Sequence, residues 1–476
     1  MMPFGGWLRR SAPALVITGS MMLGAGMAAG QPLFGALDSV LSQQLRFSAG
    51  RNSPIYAGAE VTITGQGFRP GQKVTLLYGT APLGDELVAD AGGQVSGRTT
   101  VPADAVSGNH PILVVAQGPY SASVANLKVS PRIAFSGQAG YDVTEGRVAR
   151  GLYQSAYSER NKALFVTAAI GRPPVRQSEL LRLDPQTLAV VARTTPQPAP
   201  APAPRPGDAG QAPRDGGVYA VYGVGVDDAN DTVWVTNSRQ NTVAVYRQSD
   251  LSLVRQFEPG TVNHARDVVV DSSLGKAYAS ATFRPEIVAF NTRSPEVAKR
   301  IEVASRVRGG IFSAASLSLD HDAHRLYVVS NTTNEVAAIN TRTDVVEKVL
   351  PVPGARSSIG VTHDPQTGRI FVAAQGSDNL VVLDGESGKV IADTPVGAGA
   401  LNAVFDPVRR HVYVTSRGAG TITVVDVDGR IVANLGPAPL ANHASTDRRG
   451  TVFVVDKSAG VREAESDTIL RIRPRP

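Results

Sequence analysis

The sequence predicts an all-β protein, a seven-bladed β-propeller preceded by a small β-sandwich. Three observations carry this prediction. A short strand pattern of apolar and aromatic residues occurs seven times, a turn containing Asp precedes six of the copies, and the 476-residue chain holds 48 Gly and 32 Pro. Repeats of about 40 to 45 residues are typical of propellers, in which each repeat supplies one four-stranded blade. The high Gly and Pro content suits an all-β protein with many tight turns.

The repeated pattern is the second strand of each blade. Its copies are Leu164–Thr167, Val233–Asn237, Ala277–Ser280, Leu326–Asn331, Ile370–Ala373, Val412–Thr415 and Val452–Val455. The aromatic residues of the last six copies lie 40 to 49 residues apart, at Trp234, Tyr278, Tyr327, Phe371, Tyr413 and Phe453. An apolar first strand precedes each copy, and an alternating third strand and a more polar fourth strand follow it, which is the order expected of a blade.

The seventh repeat ends after its third strand, Thr468–Ile472, so its fourth strand must come from elsewhere in the chain. The segment Tyr141–Val148, upstream of the first blade, resembles the fourth strands of the other repeats. We predict that it completes blade seven, because pairing the two ends of the chain removes the open edges of the ring.

The first 30 residues are typical of a secretory signal. Arg9 and Arg10 precede an apolar stretch from Ala12 to Met27, and small residues lie before Gln31. A retained membrane anchor is the alternative interpretation. Cleavage removes two arginines and no acid, which lowers the net charge from +6 to +4. The chain has no Cys, which excludes disulfides, c-type haem and thiolate metal sites. We expect a periplasmic, secreted or cell-surface bacterial protein with no transmembrane segment after cleavage.

Residues 31–58 form a lead-in segment, in which the helical spacing of apolar residues from Phe34 to Leu45 predicts a short helix. Residues 59–131 contain short alternating strands, such as Lys73–Leu77 and Pro111–Val115, separated by Gly-rich turns. This pattern predicts a small sandwich. The propeller then spans residues 138–476.

The strand Val233–Asn237 and the segment Val412–Asp426 resemble the YVTN repeats of the YncE-like family, which are exported seven-bladed propellers. The run Gly65–Gly71 resembles the first turn of bacterial immunoglobulin-like modules. These resemblances imply an immunoglobulin-like β-sandwich followed by a propeller, and they imply neither a catalytic motif nor a cofactor. A Pro/Ala-rich insertion at residues 196–217 departs from the family pattern, and we place it on the upper face between blades one and two.

We define the upper face as the side carrying the loops between blades and the loops between the second and third strands. Arginines and amides are frequent in these loops, and such groups suit carboxylate or phosphate ligands. The predicted ligand-binding residues around the upper mouth are Asn263, His264, Arg266, Arg308, Arg356, Asn402, Arg417 and His443.

No common catalytic motif occurs in the chain, and we predict no catalytic residue, metal or cofactor. Acid–base catalysis by His264 and His443, as in a hydrolase or lyase, is an alternative. The cluster from Asp320 to His324 contains metal-ligand residue types, but turn chemistry accounts for its acids. The expected function is an exported, non-catalytic protein that binds a small anionic ligand or an envelope protein partner. A structural or adhesive role and nucleic-acid binding are further alternatives.

Overall fold

The computed structural model describes residues 37–38, 42–51, 53–201 and 215–475, and these residues are almost entirely β-structure. The predicted signal at residues 1–30 and the middle of the Pro/Ala-rich insertion lie outside them. Among the described residues the helical segments are three short 3₁₀ turns at Gln138–Gly140, Ser238–Gln240 and Ser458–Gly460. None of the described helices is long and apolar enough to cross a membrane.

The N-terminal unit contains eight strands. They are β1 (Gln44–Ser48), β2 (Glu60–Gln66), β3 (Lys73–Tyr78), β4 (Ala81–Pro82), β5 (Leu87–Val88), β6 (Val95–Thr100), β7 (Gly108–Gln117) and β8 (Ser121–Val129). One sheet has the order β1-β2-β6, and the other has the order β4-β3-β7-β8 with β5 paired to β3. Alternate side chains such as Val61, Ile63, Val74 and Leu76 are buried in one shared core between the sheets. Strand alternation therefore places one apolar face of each sheet inward, as in a sandwich.

The predicted helix in the lead-in segment is wrong for the residues that the structure describes. Gln44–Ser48 is strand β1, which pairs antiparallel with β2. Leu37 forms an isolated bridge with Tyr120. The spacing of Leu41 and Leu45 suggested one helix face, but pairing with β2 supplies backbone partners that a short isolated helix would lack. The first sheet consequently begins before residue 59, the boundary expected from the sequence.

The rest of the chain forms seven four-stranded antiparallel sheets, numbered I to VII. Strand β9 (Tyr141–Arg147) comes first in the chain. Sheet I contains β10 (Leu152–Ser158), β11 (Ala163–Ile170), β12 (Gln177–Leu183) and β13 (Val190–Thr194). Sheet II contains β14 (Val224–Asp227), β15 (Thr232–Asn237), β16 (Thr242–Arg247) and β17 (Leu253–Gln256). Sheet III contains β18 (Ala265–Asp271), β19 (Lys276–Ala281), β20 (Glu286–Asn291) and β21 (Glu296–Glu302).

Sheets IV to VII repeat this order. Sheet IV contains β22 (Ala314–Asp320), β23 (Arg325–Ser330), β24 (Glu335–Asn340) and β25 (Val345–Pro351). Sheet V contains β26 (Ser358–Asp364), β27 (Arg369–Ala374), β28 (Asn379–Asp384) and β29 (Val390–Pro395). Sheet VI contains β30 (Ala400–Asp406), β31 (His411–Ser416), β32 (Thr421–Asp426) and β33 (Ile431–Leu435). Sheet VII contains β34 (Ala441–Thr446), β35 (Val452–Asp456), β36 (Thr468–Pro474) and the upstream strand β9.

The sheets form a closed, propeller-like ring. The first strands of successive sheets contact one another, and β34 of sheet VII contacts β10 of sheet I. Second strands are buried on both faces; in β15, for example, all six residues are buried. Because each sheet packs against two neighbours, these strands carry continuous apolar runs instead of a strict alternation.

Strand β9 closes the ring by pairing along its full length with β36, from Tyr141 opposite Pro474 to Arg147 opposite Thr468. This confirms the predicted fourth strand of the last repeat. The strand ends at Arg147, one residue earlier than expected. The ring of Tyr141 packs edge-on against Tyr413 at a centroid distance of 6.4 Å. Strand β9, which precedes sheet I in the chain, therefore joins sheet VII through backbone and core contacts.

The N-terminal unit contacts the upper face of the ring at sheets V and VI. The Asn109 side chain donates to the carbonyl of Gly376 at 3.1 Å. Lys128 Nζ lies 2.8 Å from the buried carboxylate of Asp378. Beyond the unit, Ser136 forms a bridge with Asn434 at the outer strand of sheet VI. These contacts hold the N-terminal unit beside the upper mouth.

The pairing of β9 with β36 makes a testable prediction about stability. A chain beginning at residue 150 lacks β9, whereas a chain beginning at residue 132 keeps it, and both lack the N-terminal unit. We expect the shorter chain to melt more than about 5 °C below the longer one, because it loses a full strand ladder and a core aromatic. Equal melting temperatures in calorimetry would contradict closure by β9.

Candidate functional site

The first strands of the seven sheets line a central cavity of about 640 Å³. At the start of these strands the lining residues Asp267 and Asn402 are buried, whereas at the far end Asp322, Pro365 and Pro407 are exposed. Those exposed residues belong to the turns between first and second strands, on the lower face. The cavity therefore opens toward the lower face, opposite to the predicted upper mouth.

β-bulges shape the upper end of this cavity. Register shifts occur near the start of the first strand in six of the sheets, at β10, β18, β22, β26, β30 and β34. A bulge re-aims the side chains beside it. Four of these side chains accept a backbone N–H from the neighbouring first strand, and we call them the latch residues: Gln154, Asp267, Asn402 and His443.

The latch hydrogen bonds link neighbouring sheets around the ring. Gln154 accepts the N–H of Val224 at 3.1 Å, and Asp267 accepts that of Leu317 at 3.0 Å. Asn402 accepts the N–H of Ala444 at 2.9 Å, and His443 Nδ1 accepts that of Ser155 at 3.4 Å. These strand N–H groups would otherwise lie buried without a partner, which costs about 1 to 3 kcal/mol each. The latch residues therefore stabilise the joints between sheets.

Burial changes the protonation of two latch residues. Burial, with a smaller contribution from Arg266, lowers the pKa of His443 to about 3, so its ring is neutral at pH 7. This neutral ring is the form in which Nδ1 can accept the Ser155 N–H. Burial raises the pKa of the Asp267 carboxyl, against the backbone N–H groups and the Arg266 charge that lower it.

The structure separates the eight predicted site residues into different environments. Asn402 and His443 line the central cavity, where both serve as latch residues. Arg308 and Arg356 are exposed. Arg356 lies on the side of the upper face that the N-terminal unit contacts, since its carbonyl accepts the N–H of Gly376. Of the eight residues, Asn402 and His443 therefore line the central cavity and the other six do not, because the bulges turn these two side chains into the joints between sheets.

The other predicted residues remain on the upper face. The ring of His264 packs against Phe283 at a centroid distance of 5.1 Å, and its pKa is lowered first by burial and then by the charges of Arg239 and Arg266. Asn263, in the same loop, is half-buried. Arg417 is half-buried and lies close enough to Lys457 to lower the pKa of that lysine.

Two tyrosines connect the upper-face cations. Tyr153 and Tyr222 make an edge-to-face contact with a centroid distance of 5.0 Å. Lys457 Nζ lies 5.1 Å from the centre of the Tyr153 ring, and the Arg239 guanidinium lies 6.0 Å from that of Tyr222. Together with Arg266, these residues form a surface across sheets VII, I, II and III that we call the cation–tyrosine arc. Cations over aromatic faces are attracted by the ring quadrupole.

The cations of the arc lack carboxylate partners among the described residues. Burial, followed by the charge of Arg417, lowers the pKa of Lys457 to about 8. Arg266 Nε is buried and has no hydrogen-bond partner. Arg239 donates only weakly, to the hydroxyl of Tyr222 at 3.4 Å. The arc is therefore a partly desolvated, positively charged surface that can accept an anion.

Tyr153 and Tyr222 were not predicted from the sequence. Both lie at or just before the start of a first strand, ahead of the apolar run. An aromatic residue at that position in two consecutive repeats was the available signal. It was obscured because the other aromatic residues of the repeats belong to second strands and build the core.

The lower end of the cavity holds a separate polar cluster. Ser318 Oγ lies 2.8 Å from Nδ1 of His363, and Nε2 of His363 lies 3.6 Å from Oδ2 of Asp320. His321 and Arg448 also line this end. Burial lowers the pKa of His363 to about 4. In the described part of the chain no group of three or more His, Cys, Asp or Glu side chains could hold a metal ion.

Comparison with known proteins places the chain among propeller-like all-β proteins. The structure resembles hydrazine synthase of Kuenenia stuttgartiensis, with a TM-score of 0.54 and 13% identity over 67% of this chain and 95% of that one. It also resembles virginiamycin B lyase of Staphylococcus aureus, with a TM-score of 0.52 and 12% identity over 70% of this chain and all of that one. At these identities the likeness concerns the fold alone.

In sequence, the chain is similar to YncE of Salmonella typhimurium (strain LT2), at 23% identity over 71% of this chain and 93% of YncE. YncE of Escherichia coli K12 is 22% identical over 58% of this chain and 73% of that protein. No protein-family model matches the chain. The similarity supports the YncE-like resemblance of the repeats, and the names of these relatives state no activity.

The neutral state of His443 predicts how stability changes with pH. In the unfolded chain His takes up a proton near pH 6.5, whereas the folded pKa is about 3. The unfolded state therefore binds more protons as pH falls below 6.5, and folding free energy is lost toward pH 3. Between pH 6 and pH 5 we expect His443 to account for a loss of up to about 1 kcal/mol.

The measurement is urea unfolding at pH 7, 6 and 5 for the unaltered protein and for His443→Gln, which keeps an acceptor for the Ser155 N–H. The variant should lose less stability over this range than the unaltered protein. Identical pH dependence in the two proteins would show that His443 is not held neutral by the fold.

Proposed function

We propose that this chain is an exported binding protein that takes up a small anionic molecule at the cation–tyrosine arc, a role that involves no catalysis at the arc itself. In this proposal the seven sheets are the blades of a seven-bladed β-propeller, and the N-terminal unit is an immunoglobulin-like module beside its upper mouth. The signal at residues 1–30 would direct the protein to the periplasm or the cell surface of a bacterium.

One observation carries the proposal: the cations of the arc have no carboxylate partners among the described residues. Arg266 and Lys457 are half-buried and Arg239 is exposed; cations withdrawn from water usually have such partners, since desolvating a charge is costly. A bound carboxylate or phosphate would supply the missing partner. It would raise the pKa of Lys457 above about 8 and provide an acceptor for Arg266 Nε.

The nearest carboxylates lie close enough to act on the charges of Arg266 and Lys457, but they form no salt bridge with them and accept backbone N–H groups instead. Asp267 accepts the N–H groups of Val268 and Leu317. Asp467, which faces Lys457, accepts the N–H groups of Gly151, Leu152 and Ala459. The arc therefore keeps a net positive potential at its surface, which favours anionic ligands.

The tyrosines add a requirement on ligand shape. Tyr153 and Tyr222 offer ring edges and hydroxyl groups between the two groups of cations, so a compact anion with a planar or apolar part fits better than a free inorganic ion. A protein partner presenting acidic side chains would use the same charges, and the N-terminal unit would then form a second wall of the interface.

We expect Arg266→Ala and Lys457→Ala each to weaken anion binding by at least about tenfold, since a hydrogen bond to a charged group contributes about 1.5 to 3 kcal/mol. Citrate, phosphate and pyrophosphate are suitable probes, first by thermal shift and then by titration calorimetry. The matched control is Arg342→Ala, which removes an exposed arginine from a turn between third and fourth strands.

The proposal fails if none of the three probes binds, or if Arg342→Ala weakens binding as much as the arc variants do. Binding of random single-stranded DNA that falls steeply between 50 and about 200 mM salt would favour the nucleic-acid alternative instead. For the proposed small-ligand site, DNA should bind poorly at moderate salt.

A further inference from the structure

We propose that Ser318, His363 and Asp320 form a nucleophilic site in the lower half of the central cavity, which hydrolyses esters of small carboxylic acids. This activity goes beyond the proposed binding function and uses none of the residues of the cation–tyrosine arc. It rests on the geometry of the three side chains, on their place in the cavity wall and on the charges around them.

The three side chains come from first strands of neighbouring sheets. Ser318 and Asp320 lie on β22 of sheet IV, two residues apart, and His363 lies on β26 of sheet V. The Ser318 hydroxyl is 2.8 Å from His363 Nδ1. The Asp320 carboxylate is 3.6 Å from His363 Nε2. All three residues line the cavity, so a bound molecule could reach the hydroxyl.

The contacts assign a role to each residue. Asp320 Oδ1 accepts the N–H groups of Asp322 and Ala323 at 3.1 and 2.9 Å, which holds the carboxylate in place. Its other oxygen faces His363 Nε2 and favours the tautomer with the proton on that nitrogen. Nδ1 is then free to accept the Ser318 proton. A hydroxyl, an imidazole and an orienting carboxylate are the parts that activate a serine nucleophile.

Other hydroxyls of the cavity wall lack this arrangement. Ser445 Oγ pairs with Ser155 Oγ at 2.7 Å, and Thr362 Oγ1 accepts the N–H of Phe405 at 3.2 Å. Neither contact includes a histidine side chain. Among the described residues that line the cavity, Ser318 is the hydroxyl hydrogen-bonded to a histidine side chain.

The surroundings indicate the class of substrate. A cavity of about 640 Å³ accommodates a small molecule. The Arg448 guanidinium lies close enough to lower the pKa of His363, and the nearby carboxylates of Asp320 and Asp322 already act on it. Acids outnumber this arginine in the cavity lining, which also includes Glu159, Asp228 and Asp447. We therefore infer a neutral or cationic ester as the substrate.

The reaction is an acyl transfer to water in two steps. Ser318 Oγ attacks the ester carbonyl carbon while its proton moves to His363 Nδ1, and the C–O bond to the alcohol breaks as His363 returns that proton to the leaving oxygen. Water then attacks the acyl-serine, giving its proton to His363 and releasing the carboxylic acid as Ser318 regains a proton. One ester and one water yield one acid and one alcohol.

Fluorophosphonate labelling of the full chain tests the proposal, because an activated serine displaces fluoride and keeps the phosphonyl group. Peptide mass spectrometry of the unaltered protein should find the adduct on Ser318. Ser318→Ala should abolish labelling, and His363→Gln should slow it at least about tenfold, since a positioned base contributes about 10²- to 10⁴-fold. Hydrolysis of 4-nitrophenyl acetate should fall in parallel.

The matched control is Ser445→Ala, which removes another hydroxyl from the same cavity wall and should leave labelling unchanged. The proposal would be overturned if no adduct were found on Ser318 in the unaltered protein. This result does not depend on whether any variant folds. Equal labelling of His363→Gln and the unaltered protein, with both proteins folded by thermal melting, would also overturn it. Labelling of Ser318 and hydrolysis of 4-nitrophenyl acetate do not depend on anion binding at the cation–tyrosine arc. Either proposal can therefore fail while the other holds.

Discussion

The pairing of β9 with β36 is the constraint on which the rest of the ring depends. Without it, sheet VII would have three strands and an exposed edge, and the two ends of the ring would be joined by the packing of sheet I against sheet VII alone. Seven residues on each strand pair in register from Tyr141 to Arg147. Because the strands come from opposite ends of this region, the ring can close only when the whole region has folded. Closure in turn creates the central cavity and the two faces.

The latch residues divide this cavity from the upper mouth. Each one accepts a backbone N–H from the first strand of the next sheet. Together they place buried polar groups at the upper end of the first strands. Above this level, the cations of the arc lie near the upper loops and are only partly desolvated. Below it, Ser318 and His363 face a cavity that opens toward the lower turns. One structural device therefore separates two polar surfaces with different chemistry.

The fold could be predicted in large part because its signals are local. Apolar runs, Asp turns and alternating strands identify each sheet, and the missing fourth strand of the last repeat pointed directly to Tyr141–Val148. The helix expected near Leu45 failed for a physical reason: a few apolar residues at helical spacing do not outweigh the backbone hydrogen bonds that β2 offers to Gln44–Ser48.

The candidate sites were less accessible to prediction from sequence because they depend on side-chain direction. Asn402 and His443 were expected in the loops between blades, whereas they lie inside the first strands β30 and β34. The bulges that turn them toward the neighbouring sheet leave no clear sequence signal. The contact between Ser318 and His363 joins residues of different repeats. Nothing in either repeat alone distinguishes that serine from the serine of another first strand.

Hydrogen exchange measured by mass spectrometry tests whether β9 and β36 hold the ring together. If β9 and β36 hold the ring together, peptides covering residues 141–147 and 468–474 should exchange as slowly as peptides covering the first strands, because all of them would open only through global unfolding. Fast exchange in both peptides, with the first strands still protected, would contradict the account. It would show that the ring persists without its closing strand.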